Sequence, residues 1–133
     1  MNEPDWNDFI NFTRDEMKCS HSGDAFMDSD FMYRLQSLRD KFGLMTITSA
    51  YRSPTHPIEA KKQTPGSHST GRAVDISVSH DRAYALIRMA TQMGFTGIGV
   101  QQKGGGRFIH LDDITENEIL NGKSYVRPTI WSY

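Results

Sequence analysis

A single cysteine, Cys19, stands in this chain of 133 residues. No internal disulfide can form, and a cysteine-rich structural zinc site is excluded. Positive charge is not in excess either. Lys and Arg number 15 against 16 Asp and Glu, so the broad basic surface of a general nucleic-acid binder is missing, although a local basic patch is not excluded. No apolar run approaches the roughly 18 residues of a membrane span. The opening "MNEPDWNDFINF" is acidic and has neither the basic start nor the apolar core of a secretory signal. The expectation is synthesis in the cytoplasm, with any action outside it depending on a separate release route. Repeats, low-complexity tracts and linkers are absent too. Residues 1–133 therefore read as one domain, long enough for a single core and too short for two. A monomer is expected.

Hydrophobic periodicity supplies the elements. "TRDE", Thr13 to Glu16, has the capping-box pattern and predicts a helical turn over 14–18. In "DSDFMYRLQSLRDKFG", Phe31, Leu35, Leu38 and Phe42 recur at helical spacing, with Asp28 or Ser29 to cap the start and Gly43 to end it. "LMTITSAYR" reads as a strand rich in β-branched residues. The Pro-, Ser- and Gly-rich stretch after it reads as a long loop with a helical turn near Ile58–Lys62. "RAVDISVS" is a second strand. "HDRAYALIRMATQMG" is a second amphipathic helix, buried through Ala83, Leu86, Ile87, Ala90 and Met93. "GIGVQQ" and "RFIHLDD" are strands joined by a "KGGG" hairpin turn, and "VRPTIWSY" is extended. This order predicts an α+β domain: a small antiparallel sheet with helices packed to one side.

Three places on this frame hold residues that could do chemistry. His68 ends the long loop, Asp75 lies in the strand after it, and His110 lies in "FIHLD". Strand alternation puts Phe108, His110 and Asp112 on one face, and Ile109 and Leu111 on the other. Asp75 sits among Ala73, Val74, Ile76 and Val78, where an unpaired carboxylate is costly. A metal ion removes that cost, but so does a hydrogen-bonded turn. Spacing by itself leaves both readings open. His21 and His80 have no partners in sequence, and Cys19 has no activating context. Trp6, Trp131 and Tyr133 could line a glycan groove, with core packing as the simpler role.

The ordered set "SAYRSPTHPIEAKK", "PGSHSTGRAVDISVS", "GFTGIGV", "RFIHLDD" and "RPTIWSY" resembles the zinc D-alanyl-D-alanine carboxypeptidase family, and its compact phage and bacterial members most closely. The wider superfamily also holds lysostaphin-type endopeptidases and the hedgehog domain. The resemblance runs from about Phe12 to Tyr133, and its core is S-H-x-x-G-x-A-x-D with a later H-x-D. It implies that His68, Asp75 and His110 are ligands of a zinc ion, and that Arg52 holds the substrate carbonyl or stabilises the oxyanion. Several relatives carry a glutamate base three residues before the last histidine ligand. Arg107 occupies that position here and cannot serve. Asp112 is the carboxylate taken instead, either as the base or as a group orienting a ligand histidine, with Glu59 and His56 in reserve. The implied activity is hydrolysis of a peptidoglycan stem-peptide bond involving D-alanine, as in a phage endolysin that reaches the wall after release. An L-alanyl-D-glutamate endopeptidase is the alternative, as is a zinc-containing wall-binding module without activity.

Overall fold

Short polar signals open the helices at the places the sequence marks. In the computed structural model, which describes residues 2–133, Thr13 and Glu16 complete the capping box that starts α1, Arg14–Met17. The Asp28 carboxylate accepts from the Phe31 N–H and starts α2, Ser29–Phe42. One face of α2 buries Phe31, Met32, Leu35, Leu38 and Phe42. After β1, Thr46–Ser49, comes the single turn α3, Pro57–Ala60, and then a 3-10 turn at Ser67–Thr70. The remaining elements are β2, Ala73–Ser77; α4, His80–Gln92; β3, Gly97–Gln101; and β4, Phe108–Asp112. A small hairpin of β5, Ile119–Leu120, and β6, Lys123–Ser124, precedes β7, Thr129–Ser132. In α4, Ala83, Leu86 and Ala90 are fully inside, whereas Ile87 and Met93 lie half-buried at the margin of the core.

The main sheet runs β1-β2-β4-β3-β7. Its first four strands pair antiparallel, as expected. The last does not: β7 lies parallel to β3, so the sheet is mixed rather than antiparallel. The cause is topological. Both edges of β4 are already taken by β2 and β3, so the tail cannot pair with the strand it follows. It crosses to the free edge of β3, and the segment between β4 and β7 is long enough for the crossover a parallel pair needs.

The two faces of the sheet divide the labour. Val74, Ile76, Ile98, Ile109 and Leu111 point one way into a cluster with Phe31, Leu35 and Leu38 of α2 and Leu86 and Ala90 of α4. Each such side chain contributes about 1.5–3 kcal/mol by leaving water. Period-two alternation sends Asp75 and His110 to the opposite face. There the registers Ser49↔Asp75, Asp75↔His110, Gly99↔His110 and Gly99↔Trp131 line up one row across all five strands.

Candidate metal centre

That row holds two of the three residues the sequence singled out, and the loop before β2 delivers the third. The strand register breaks at a bulge between Ile47 and Ser49, and the chain then leaves the sheet. Its backbone stays satisfied, because the Tyr51 N–H donates to the Met17 carbonyl and the Arg52 N–H to the His68 carbonyl. This departure carries Arg52 alongside the 3-10 turn that presents His68. The Ser69 hydroxyl, donating to the Arg52 carbonyl at 2.6 Å, ties the two segments again.

The ring nitrogens are sorted by their partners. His68 Nδ1 lies 2.8 Å from the Ala50 carbonyl and must donate to it, leaving Nε2 unprotonated toward Asp75 Oδ1 at 3.4 Å. His110 Nε2 donates to Asp112 Oδ2 at 2.8 Å, which leaves Nδ1 facing the same Asp75 oxygen at 3.2 Å. Ligand atoms of His68, Asp75 and His110 all lie within 4.8 Å of one another. A tetrahedral zinc ion with bonds of about 2.0–2.1 Å separates its ligand atoms by about 3.3–3.4 Å. The spacings to Asp75 match that edge. Two neutral imidazoles and one carboxylate also form a known donor set for catalytic zinc. The residues fit the ion.

Electrostatics of the trio follow from burial set against charge. Burial opposes ionisation of Asp75, but with no metal bound, protonated His110 and His68 rings turn N–H groups toward it, and those hydrogen bonds outweigh burial and hold the carboxyl well below the usual range. Burial likewise opposes a charge on His110, yet Asp112 and Asp75 outweigh it and raise its affinity for a proton.

Behind His110 stands Asp112, in the orienting role the sequence allowed it, and behind Asp112 an arginine that sequence reasoning missed. Asp112 is wholly buried, and Arg127 grips both of its oxygens, with Nε to Oδ1 at 2.9 Å and Nη2 to Oδ2 at 2.8 Å. This fork is the bidentate pairing that arginine makes and lysine cannot. Gly97 and Gly99 make room for the arrangement. A Cβ at Gly97 would collide with the Asp112 carboxylate, and one at Gly99 would come within 2.8 Å of Trp131 Nε1 and 2.9 Å of His110 Cβ. The Trp131 ring packs on the His110 imidazole, their centroids 5.0 Å apart. A G-x-G strand opposite H-x-D was the available signal. Its meaning depends on a register that only the fold supplies.

The other candidates are distributed as follows. Arg52 donates through Nη1 to Glu59 at 2.9 Å and through Nη2 to the Ser49 hydroxyl at 3.0 Å, beside Asp75 in the row. Glu59 is buried, and it accepts from the Gly66 N–H, Arg52 and Lys62. Burial disfavours its charge, but those donors prevail and hold its pKa at about 2. It is therefore an anchor for the loop and a poor proton acceptor near neutrality. His56 caps α3 by accepting from the Ile58 N–H, outside the trio. Arg107 turns away into the hairpin, toward the Gly104 carbonyl and His80. Asp113 points off the site face and pairs with Arg72. Cys19 is buried in the core.

With this geometry in hand, the sequence also matches the family described as Peptidase M15 over residues 10–112. The chain belongs to the peptidase M15 family. Members of that family are zinc-dependent, in keeping with the His68, Asp75 and His110 cluster. The M15 match ends at Asp112, so Arg127 and Trp131 enter the site from outside the matched segment. No curated protein matches the chain. Among the described residues, no helix is long and apolar enough to cross a membrane.

Proposed function

We propose that this zinc peptidase hydrolyses a peptide bond in peptidoglycan stem peptides, most simply one involving D-alanine, and that it serves as a wall-lytic enzyme of the endolysin kind. The observation that carries the reading is the trio itself: Asp75 flanked by two imidazoles whose outer nitrogens are already committed to Ala50 and Asp112. A site so fixed needs no rearrangement to accept the ion. Zinc, when bound, supplies a Lewis acid that polarises a peptide carbonyl and makes water acidic enough to attack near neutral pH.

The chain's own residues do the rest. Asp112 and Arg127 keep His110 in one tautomer and one orientation. Asp112 is wholly buried and already meets His110, Arg127 and the Ile114 N–H, so we assign it to holding His110 rather than to taking a proton from water. Glu59 and Ser49 fix the plane of the Arg52 guanidinium at the edge of the trio. Its remaining N–H groups are free to donate where negative charge grows on the carbonyl oxygen. Trp131 over His110 excludes water from one flank, which strengthens each of these interactions.

Purified sacculi incubated with the protein should release new amino groups, and a chelator should abolish the release. Mass spectrometry of the fragments then names the bond. Cleavage between L-alanine and D-glutamate would replace the D-alanyl assignment. No release under zinc-replete conditions would leave a zinc-containing wall-binding module, for which Arg107 in the glutamate position is the supporting observation.

A further inference from the structure

A groove of about 440 Å3 adjoins the trio, lined among others by Lys62, Ser67, Lys123, Tyr125, Arg127 and Trp131. None of the trio lines it, but Ser67 immediately precedes His68 and Trp131 packs on His110, so two of its lining residues neighbour candidate ligands. Three of its lining residues are cations and none is acidic. The three cations are not equivalent. Arg127 is matched by Asp112, and Lys62 shares Glu59 with Arg52, both carboxylates being buried. Lys123 has no carboxylate in ion-pair range among the described residues, and its Nζ stands 5.1 Å from the centre of the Tyr125 ring. Arg127 lies over the same ring at 5.1 Å. Tyr125 thus meets two cations at its ring, of which Arg127 has a buried carboxylate partner and Lys123 has none among the described residues. Ser67, Ser124 and Thr129 add polar side chains along the walls.

We propose that this groove is an anion subsite that receives a free carboxylate of the substrate peptide, with Lys123 as its recognising charge. The proposal rests on the stem-peptide reading above and adds a substrate class to it: acidic peptides over their amidated counterparts. The geometry supports a carboxylate in particular. Lys123 brings one ammonium that no carboxylate matches among the described residues, and a single such donor in a groove lined by hydroxyl-bearing residues suits a small singly charged anion. Stem peptides offer such a group in two places, at the chain end and on the D-glutamyl residue.

Three substrates separate these sources: a stem pentapeptide, the same peptide carrying an amide on the D-glutamyl α-carboxyl, and the same peptide with an amidated C-terminus. The zinc-loaded protein should cleave one amidated form about fivefold less efficiently, the loss lying in KM, as expected for one partly exposed charge pair. Which amide costs the most identifies the carboxylate. Lys123→Met removes the charge while keeping an unbranched apolar side chain and should erase the discrimination, with its melting curve reporting the state of the fold. Equal cleavage of all three peptides by the unaltered protein would overturn the proposal, as would full discrimination in Lys123→Met. If no stem peptide is hydrolysed, the peptidase reading on these substrates fails by itself. Titration calorimetry with the same three peptides then still decides the subsite, because binding that ignores amidation refutes it.

Discussion

Replacing Arg127 by methionine tests the support behind the metal centre. The Arg127 side chain is 8% exposed and that of Asp112 is 0% exposed, so the pair has little help from water. Removing the guanidinium leaves a buried carboxylate with His110 as its one remaining ionic partner. Loss of one member of such a pair costs about 3–5 kcal/mol. That is a large share of the roughly 5–15 kcal/mol that holds a domain together. The effect should also reach the metal. With Asp112 free to turn or protonate, His110 loses the partner that fixes its tautomer, and zinc affinity should fall about 10- to 100-fold. Urea unfolding of the zinc-free protein reads the first quantity, and competition against a chromogenic chelator reads the second. Arg127→Met combined with Asp112→Asn removes both charges and should regain part of the stability without regaining the affinity. The reasoning is refuted if Arg127→Met loses stability yet binds zinc as tightly as the unaltered protein. Arg127 would then serve folding alone.

Three other outcomes follow from the same geometry. Asp75→Ala should abolish stoichiometric zinc in elemental analysis; full metal content in the folded variant would mean the ligand set is wrong. Gly99→Ala should destabilise by about 1–3 kcal/mol and shift tryptophan fluorescence, because the new methyl meets Trp131 and the His110 Cβ at under 3 Å; an unchanged melt and spectrum would show that the row tolerates bulk. Glu59 ionises at about 2 in the fold against an ordinary 4.5. Its contribution is therefore fully present above pH 4.5 and is lost as pH falls through about 2. At ~1.4 kcal/mol per pKa unit, that contribution is about 3 kcal/mol. Acid titration of stability should be visibly flatter in Glu59→Gln between those limits, and parallel curves would refute the assignment.

Much of the frame was legible in the sequence because local chemistry determines it. The capping box at Thr13 and Glu16, the stripe from Phe31 to Phe42 and the alternation through "FIHLD" each depend on neighbours a few residues away. They returned as α1, α2 and β4. Alternation also put His110 and Asp112 on one face without further help. It could not tell which of them looks outward to a substrate. That depends on Arg127, a residue 15 positions further on that reaches Asp112 only after the tail crosses the sheet. The parallel pairing of β7 escaped for the same reason, since no local pattern records which edge a strand will find free.

The sequence by itself determined most of the element types and the face that His110 and Asp112 share, while the two histidines and the aspartate able to hold zinc stood out through the family resemblance rather than through spacing. Periodicity and donor chemistry are properties of the chain read in order. Tertiary structure alone decided how those residues are used. It turned Asp75 between two imidazoles, buried Asp112 under an arginine fork, made Glu59 a loop anchor and opened a cationic groove beside Trp131. Each of these depends on distances between residues far apart in the chain, and only packing brings such residues within a few ångströms.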